Sequence, residues 1–504
     1  MALLFLLLST LFLFFSIYYL FFSSSKKKKP NHLPIPPGPK GWPILGNLPQ
    51  MGSKPHHTLQ SLSKTYGPLF RLRFGSVEVV VASSASIAAQ FLKVHDANFS
   101  NRPKNSGAEH VAYNYQDLVF APYGPRWRWL RKLCSVHLFS AKALDDLRPI
   151  RESELSRMVW TLAQRAGPVN LGEAANVCAT NALARATVGR RVFEEGEEAR
   201  EFKEMVVELM KLAGVLNVGD FVPGIAWMDL QGVVGKMKRL HKRYDDFLDG
   251  IIAERRNNMG GNDLLSVLLR LKDDDGHNVT DIDIKALFLN LFTAGTDTSS
   301  STVEWGLAEL IRHPDLLKKA QVELDSVVGR DQLVSESDLP NLPFMQAIIK
   351  ETFRLHPSTP LSLPRTATES CEIAGYYIPK GATLLVNVWA IARDPTSWPD
   401  PLEFRPARFF SGGPQERMDA LGNDFELIPF GAGRRICAGM SLGFKMVQFM
   451  TATLVHAFDW ALPKGQSPEN LDMEEAYGLT LQRAVPLKVH AMPRLAGEAY
   501  QKCN

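Results

Sequence analysis

Phe430-Gly431-Ala432-Gly433-Arg434-Arg435-Ile436-Cys437-Ala438-Gly439 is the stretch on which the reading of this chain turns. Its glycines let the backbone wrap closely around something flat or bulky. Cys437 stands just before an apolar-periodic run from about Ala438 to His456, which predicts a helix. Free N–H groups at a helix start favour thiolate over thiol, and Arg434 and Arg435 add positive charge. A sulfur anion in a tight loop, with N–H donors and a basic neighbour for a carboxylate, is what an axial haem thiolate requires. The other cysteines, Cys134, Cys178, Cys371 and Cys503, are scattered and form no CxxC pair. That spacing excludes a disulfide scaffold, a zinc site and an iron–sulfur site.

Outward from this loop the chain reads as mainly helical. Helices are predicted over 152–165, 200–212, 234–256, 317–327 and 342–355. The longest begins near Asp281, where Thr280 and Asp283 have capping-box spacing, and runs to His313-Pro314. At roughly 48 Å it must cross the molecule, and its apolar middle, Ala286 to Ala294, predicts burial on most sides. Short strands are predicted at Val77–Ala82, Gly375–Pro379 and Ala382–Val388, and a proline-rich irregular region from Asp394 to Phe430. No internal repeat is present. The 504 residues would allow about three domains by length; few strands, placed at both ends, favour one mainly α domain with small β-sheets.

The composition, 45% hydrophobic and 22% charged, excludes a disordered, collagenous or multi-pass membrane chain. The net charge of +4 equals the contribution of Lys26–Lys29, and the remainder holds no basic block, so no nucleic-acid partner is expected. Residues 2–22 carry no charge and as a helix would be about 32 Å long. With the lysines following it, this stretch is expected to be a transmembrane anchor with the body on the cytosolic side. Residues 23–41, basic and then proline-rich, are expected to be a hinge, and residues 42–504 the globular body.

The segment Phe430–Gly439 matches FxxGxRxCxG in full, and here the chain resembles the cytochrome P450 superfamily of haem-thiolate monooxygenases. The resemblance covers essentially the whole chain. It implies that Cys437 is the iron ligand of haem b. It implies that Arg435, Trp127 and Arg131 (as WxxxR) and Arg365 (in Leu363-Pro364-Arg365) face the haem propionates. Glu351-Thr352-Phe353-Arg354 corresponds to the ExxR element, completed by Arg408 of Pro406-Ala407-Arg408-Phe409; many members have Glu where this chain has Ala407. Ala294-Gly295-Thr296-Asp297-Thr298 corresponds to the oxygen-activating element. Gly295 would open space for dioxygen, Thr298 would offer its hydroxyl to it, and Asp297 would relay protons. The competing reading is that Thr298 bonds the carbonyl one turn back.

The intact Asp297–Thr298 pair favours true monooxygenation over reductase-independent rearrangement. No GxGxxG sits in a strand–helix context, so electrons from NADPH are expected through a separate NADPH-cytochrome P450 reductase. Arg126, Arg128 and Lys132 would attract it. The same resemblance places the protein in the endoplasmic reticulum membrane.

An apolar pocket is expected from segments near 103–119, 211–222, 288–298 and 357–363, with Phe288, Phe292, Ala294, Ser358, Thr359 and Ser362 as candidate contacts. The stretches His95–Phe99, Tyr113–Gly124 and Gly478–Arg483 resemble the plant flavonoid 3′-hydroxylases. That implies B-ring hydroxylation of a flavonoid, with other flavonoid-pathway enzymes as potential partners. Three readings stand: 3′-hydroxylation; 3′,5′-hydroxylation or oxidation of another plant aromatic metabolite; and a non-catalytic haem or ligand-binding protein.

Overall fold

The computed structural model describes residues 33–501 except 194–196, 259, 262 and 273–278, together with residues 8–10, 12 and 16. The central element is the helix Asp281–Arg312, 32 residues long. Its start is fixed as the sequence predicts. The Thr280 side chain accepts from the Asp283 N–H, and the Asp283 carboxylate accepts from the Thr280 N–H. It ends at His313, because Pro314 opens the next helix, Pro314–Val327. Ala286–Phe292 are all buried, whereas Ala294 and Gly295, at mid-helix, are open to a cavity.

The long helix packs along Leu171–Val188, and further against Met440–Ala457 and Pro343–Leu355. Leu171–Val188 lies outside the elements predicted from sequence. It is rich in Ala, Thr and Asn and buried on nearly every side, so it carries no apolar stripe to betray its period. Helices Pro55–Tyr66 and Pro125–His137 are likewise additional.

A four-stranded sheet orders Leu69–Phe74, Val77–Ala82, Thr383–Val386 and Arg365–Thr366. Val77–Ala82 is antiparallel to the first strand and parallel to the third. The edge strand Arg365–Thr366 pairs Arg365 with Leu384, which carries Arg365 to the cavity wall. A three-stranded sheet joins Val169–Asn170, Lys488–Pro493 and Phe458–Ala461. The region after Val388–Ile391 has only single-turn 3₁₀ pieces until Met440, as the prolines predict.

The described part of residues 23–41 docks on the body: the Arg71 N–H donates to Pro37 O and the Tyr377 N–H to Pro34 O, each at 2.8 Å. A side chain on Gly38 would collide with Arg71 O. One expectation changes: among the described residues no helix is long and apolar enough to cross a membrane. A crossing takes ~20 apolar residues, and of residues 2–22 only 8–10, 12 and 16 are described; the rest of that stretch, like Lys26–Lys29, lies outside the described residues. The expected transmembrane anchor is corrected accordingly, and with it the membrane partnership and the single-pass endoplasmic-reticulum topology that rested on it.

Candidate active site

Cys437 opens onto a cavity of about 300 Å³ between the long helix and the 428–443 loop. The loop is closed by the Cys437 N–H donating to Phe430 O at 3.0 Å. Gly431 and Gly433 have φ of +70° and +71°, a region that favours glycine. A Cβ on Gly433 would lie 2.3 Å from Leu92 O. The following helix starts at Met440, later than the sequence predicts. Burial raises the Cys437 thiol; the Gly439 N–H donated to sulfur and the Arg131 charge oppose it. Arg434 points outward onto Asp96 and the Tyr123 ring, so of the adjacent arginines only Arg435 enters the cavity.

Five arginines line the cavity. Arg151 is paired with Glu336; the other four are Arg102, Arg131, Arg365 and Arg435. Arg435 donates to the carbonyl oxygens of Ser100, Val119 and Ala121. Arg131 donates to Ile436 O, and Arg365 to Ala432 O with Asp96 at 3.4 Å. Arg102, absent from the sequence-based set, donates to Val119 O, Leu363 O and Pro364 O. Burial lowers all four, Arg365 and Arg435 to about 10. Arg365 and Arg435 further depress Arg102 by like-charge repulsion. Trp127 lies under two of them, with Arg435 and Arg131 centred 4.7 and 5.4 Å from its ring. Arg365 has the Asp96 carboxylate as a partial counter-ion, whereas the side-chain bonds of Arg102, Arg131 and Arg435 go to carbonyl dipoles, which satisfy donors without neutralising them. A flat apolar ligand bearing two carboxylates, with an iron for Cys437, fits this donor set, as haem b does.

On the opposite wall Asn290, Ala294 and Thr298, spaced four apart on one helix face, line the cavity with Leu291, Gly295 and Ser299. The Thr298 hydroxyl donates to Ala294 O at 2.7 Å, so its lone pairs remain to accept from a cavity ligand. Gly295 borders the cavity, yet its missing Cβ points at Leu183 Cδ2, 2.9 Å away. Its bareness thus also admits the helix Leu171–Val188. Asp297 turns away from the cavity. Its carboxylate accepts from Thr480 Oγ1 at 2.8 Å, from Gln482 Nε2 and from Asn176 Nδ2 at 3.3 Å. Burial raises its pKa; the Thr480 and Gln482 bonds oppose that.

Ser358, Thr359 and Ser362 line the cavity. Phe288 and Phe292 do not. They pack edge-on to each other, and Phe292 against Phe202, in the neighbouring core. Positions 288 and 292 share a helix face with Gly295 and Ser299 but lie nearer the helix start, where Phe202 and the neighbouring core cover that face. Arg126 is held by Asp283 at 2.8 Å and by Gln116 O, which leaves Arg128 as the exposed arginine of that run.

Glu351 underpins the loop. It accepts two bonds from Arg354, at 2.7 and 2.8 Å, one from the Arg405 N–H at 2.7 Å, and one from Arg408 Nε at 3.3 Å. Arg354 also binds the carbonyls of Ala392, Pro401 and Glu403, and Arg408 those of Pro399 and Asp400. The ion cluster thereby substitutes for regular secondary structure across the proline-rich region.

The cytochrome P450 family model matches residues 36–489. A flavonoid 3′-monooxygenase of Crocosmia x crocosmiiflora is 72% identical over 477 residues, covering 93% of this chain and 94% of that relative. A flavonoid 3′-monooxygenase of Petunia hybrida is 64% identical over 480 residues, covering 93% and 94%. A flavonoid 3′,5′-hydroxylase of Crocosmia x crocosmiiflora is 60% identical over 497 residues, covering 94% of each.

Proposed function

Because the chain belongs to the cytochrome P450 family, we propose that it is a flavonoid 3′-monooxygenase whose catalytic body spans 42–504. The observation that carries this reading is the 72% identity to a flavonoid 3′-monooxygenase over 93% of the chain. The substrates would be flavanones, dihydroflavonols, flavones and flavonols. One oxygen atom of O2 enters the B ring at the 3′ carbon; the other leaves as water, with two electrons from NADPH through NADPH-cytochrome P450 reductase and two protons.

Haem would supply the oxygen-activating chemistry when bound. Cys437 would hold its iron, and Arg102, Arg131, Arg365, Arg435 and Trp127 would receive its propionate side. Thr298 accepts a hydrogen bond at the oxygen site, its own proton being committed to Ala294 O. Asp297 takes protons from the side of Thr480 and Gln482 and passes them inward; its raised pKa suits it to carry one. Ser358, Thr359 and Ser362 orient the phenolic substrate, and Ala294 leaves room for its ring. Glu351, Arg354 and Arg408 hold the loop in place. Arg128 and Lys132 offer the reductase a basic face, and other flavonoid-pathway enzymes are further candidate partners.

The second reading is 3′,5′-hydroxylation, favoured by the 60% identity to such an enzyme. Turnover of naringenin by the reconstituted holoenzyme with NADPH and reductase tests both. A single added oxygen at 3′ supports the first. Two added oxygens support the second. No turnover, with an intact thiolate-type carbon-monoxide spectrum, rejects both.

A further inference from the structure

Residues 117–121 roof the cavity without belonging to a helix or strand. They lie between the helices Ser106–His110 and Pro125–His137 and follow Tyr113, Asn114 and Tyr115, all of which have positive φ. A segment of this kind is placed only by bonds to its surroundings. Two residues supply those bonds towards the long helix. Asn290 Nδ2 donates to Asp117 Oδ2 at 2.7 Å, and the Val119 N–H donates to Asn290 Oδ1 at 3.1 Å. The Phe120 N–H donates to Asp117 Oδ1 at 2.9 Å. Asp117 is fully buried, and Asn290 is 9% exposed.

The peptide of Val119 is tied at both ends. Its N–H goes to Asn290, and its carbonyl accepts from Arg102 Nε at 3.2 Å and Arg435 at 3.4 Å. The side chains of Leu118, Val119 and Asn290 face the cavity. Asn290 stands eight residues from Thr298 on the same face, about 12 Å along the axis. An aromatic substrate reaching from the oxygen site along the helix meets this wall.

We propose that Asn290 and Asp117 form a positioning clasp that sets the cavity roof at Leu118–Val119, and so fixes how the substrate ring is presented to the oxygen site. Neither residue touches the reacting atoms. The choice of naringenin as probe rests on the function proposed above; the clasp itself rests on the bond pattern. That pattern is restrictive. One carboxamide donates to a carboxylate and accepts from a peptide N–H, and each oxygen of the carboxylate receives one donor. Asp117→Asn places an amide NH2 against the Asn290 NH2; flipping Asn290 to relieve this sets its NH2 against the Val119 N–H. Asn290→Asp sets two carboxylates face to face. The reciprocal double exchange, Asp117→Asn with Asn290→Asp, restores all three bonds.

The experiment compares the holoenzymes of both single exchanges, the double exchange and Asn290→Ala, which introduces neither opposed donors nor charge. The readouts are the carbon-monoxide spectrum, the naringenin-induced spectral shift, and product formed per NADPH consumed. The single exchanges and Asn290→Ala are expected to retain haem, bind naringenin roughly tenfold more weakly, and lose coupling. The double exchange is expected to return within about twofold of wild type.

Singles that bind and couple as wild type overturn the proposal, as does a double exchange no better than the singles. Loss of haem in all the single variants also overturns it, since the clasp is then structural. If wild type itself gives no shift with naringenin, the flavonoid reading fails. The same variants are then compared by 4-phenylimidazole binding against imidazole, where only the phenyl contribution should fall. An unchanged phenyl contribution overturns the clasp.

Discussion

Glu351→Gln is nearly isosteric and removes one charge. In its native setting the carboxylate is fully buried and faces Arg354 and Arg408, whose side chains are 0% and 2% exposed. The substitution leaves two buried guanidiniums without a counter-ion and turns an amide NH2 towards at least one of their donors. Removing one member of a buried ion pair costs about 3–5 kcal/mol. Unfolding entropy of ~2.1 cal/mol/K per residue, over the roughly 450 residues matched by the family model, is about 1 kcal/mol per kelvin. The expected fall in melting temperature of the holoenzyme is therefore about 3–5 °C. The loss falls on the 392–437 region, which Arg354 and Arg408 hold through carbonyl bonds, so the sulfur loop should loosen first. The assay is thermal melting followed at the haem absorbance, together with the carbon-monoxide difference spectrum per mole of protein. The prediction is a lower melting point and a lower yield of the thiolate-type spectrum. A melting point within about 1 °C of wild type, with a full thiolate spectrum, would show that the cluster does not carry the loop.

Thr298→Ala should keep the thiolate spectrum while diverting electrons to released hydrogen peroxide; coupling equal to wild type would remove Thr298 from proton delivery. Arg102→Leu should lower haem retention during gel filtration, as loss of a propionate partner requires, and a haem content equal to wild type would return Arg102 to a purely structural role. His56, His356 and His456 each bond through Nε2 and bury an Nδ1 that has no partner, and burial lowers the pKa of all three. Below about pH 6.5 the unfolded chain takes up protons that the folded chain refuses, so stability should be full above that pH and fall as pH drops beneath it. His456→Gln should flatten the melting-temperature profile between pH 7 and 5.5; an unaltered slope would refute its share.

Cys437, the glycines around it and the full length of the distal helix were legible in the sequence because each is a local pattern. The capping box at Thr280 and the stop at Pro314 mark that helix to the residue. What was not legible comes from partners distant in the chain. Arg102 is an isolated arginine in a loop, and only the meeting of residues 102, 363 and 435 makes it part of the cationic wall. Thr480 and Gln482 hold Asp297 from more than 180 residues away. The apolar contacts assigned to Phe288 and Phe292 failed because Phe202, distant in the chain, covers that stretch of the helix before the cavity begins. The membrane-spanning helix was read from an uncharged apolar stretch and the lysines that follow it, and no described helix meets that length and composition.

The Arg435–Ser100 bond joins residues 335 apart. At ~5–20 residues per second of synthesis, the amino-terminal wall waits about 20–70 s for its carboxy-terminal counterpart to leave the ribosome. Until then Arg102 and Trp127 border an unfinished pocket with neither sulfur nor anion to answer them. Haem capture is thereby placed among the last events of the chain's biogenesis, and the yield of active enzyme in a host cell should track haem supply and chaperone capacity late in synthesis more than the translation rate of the first half.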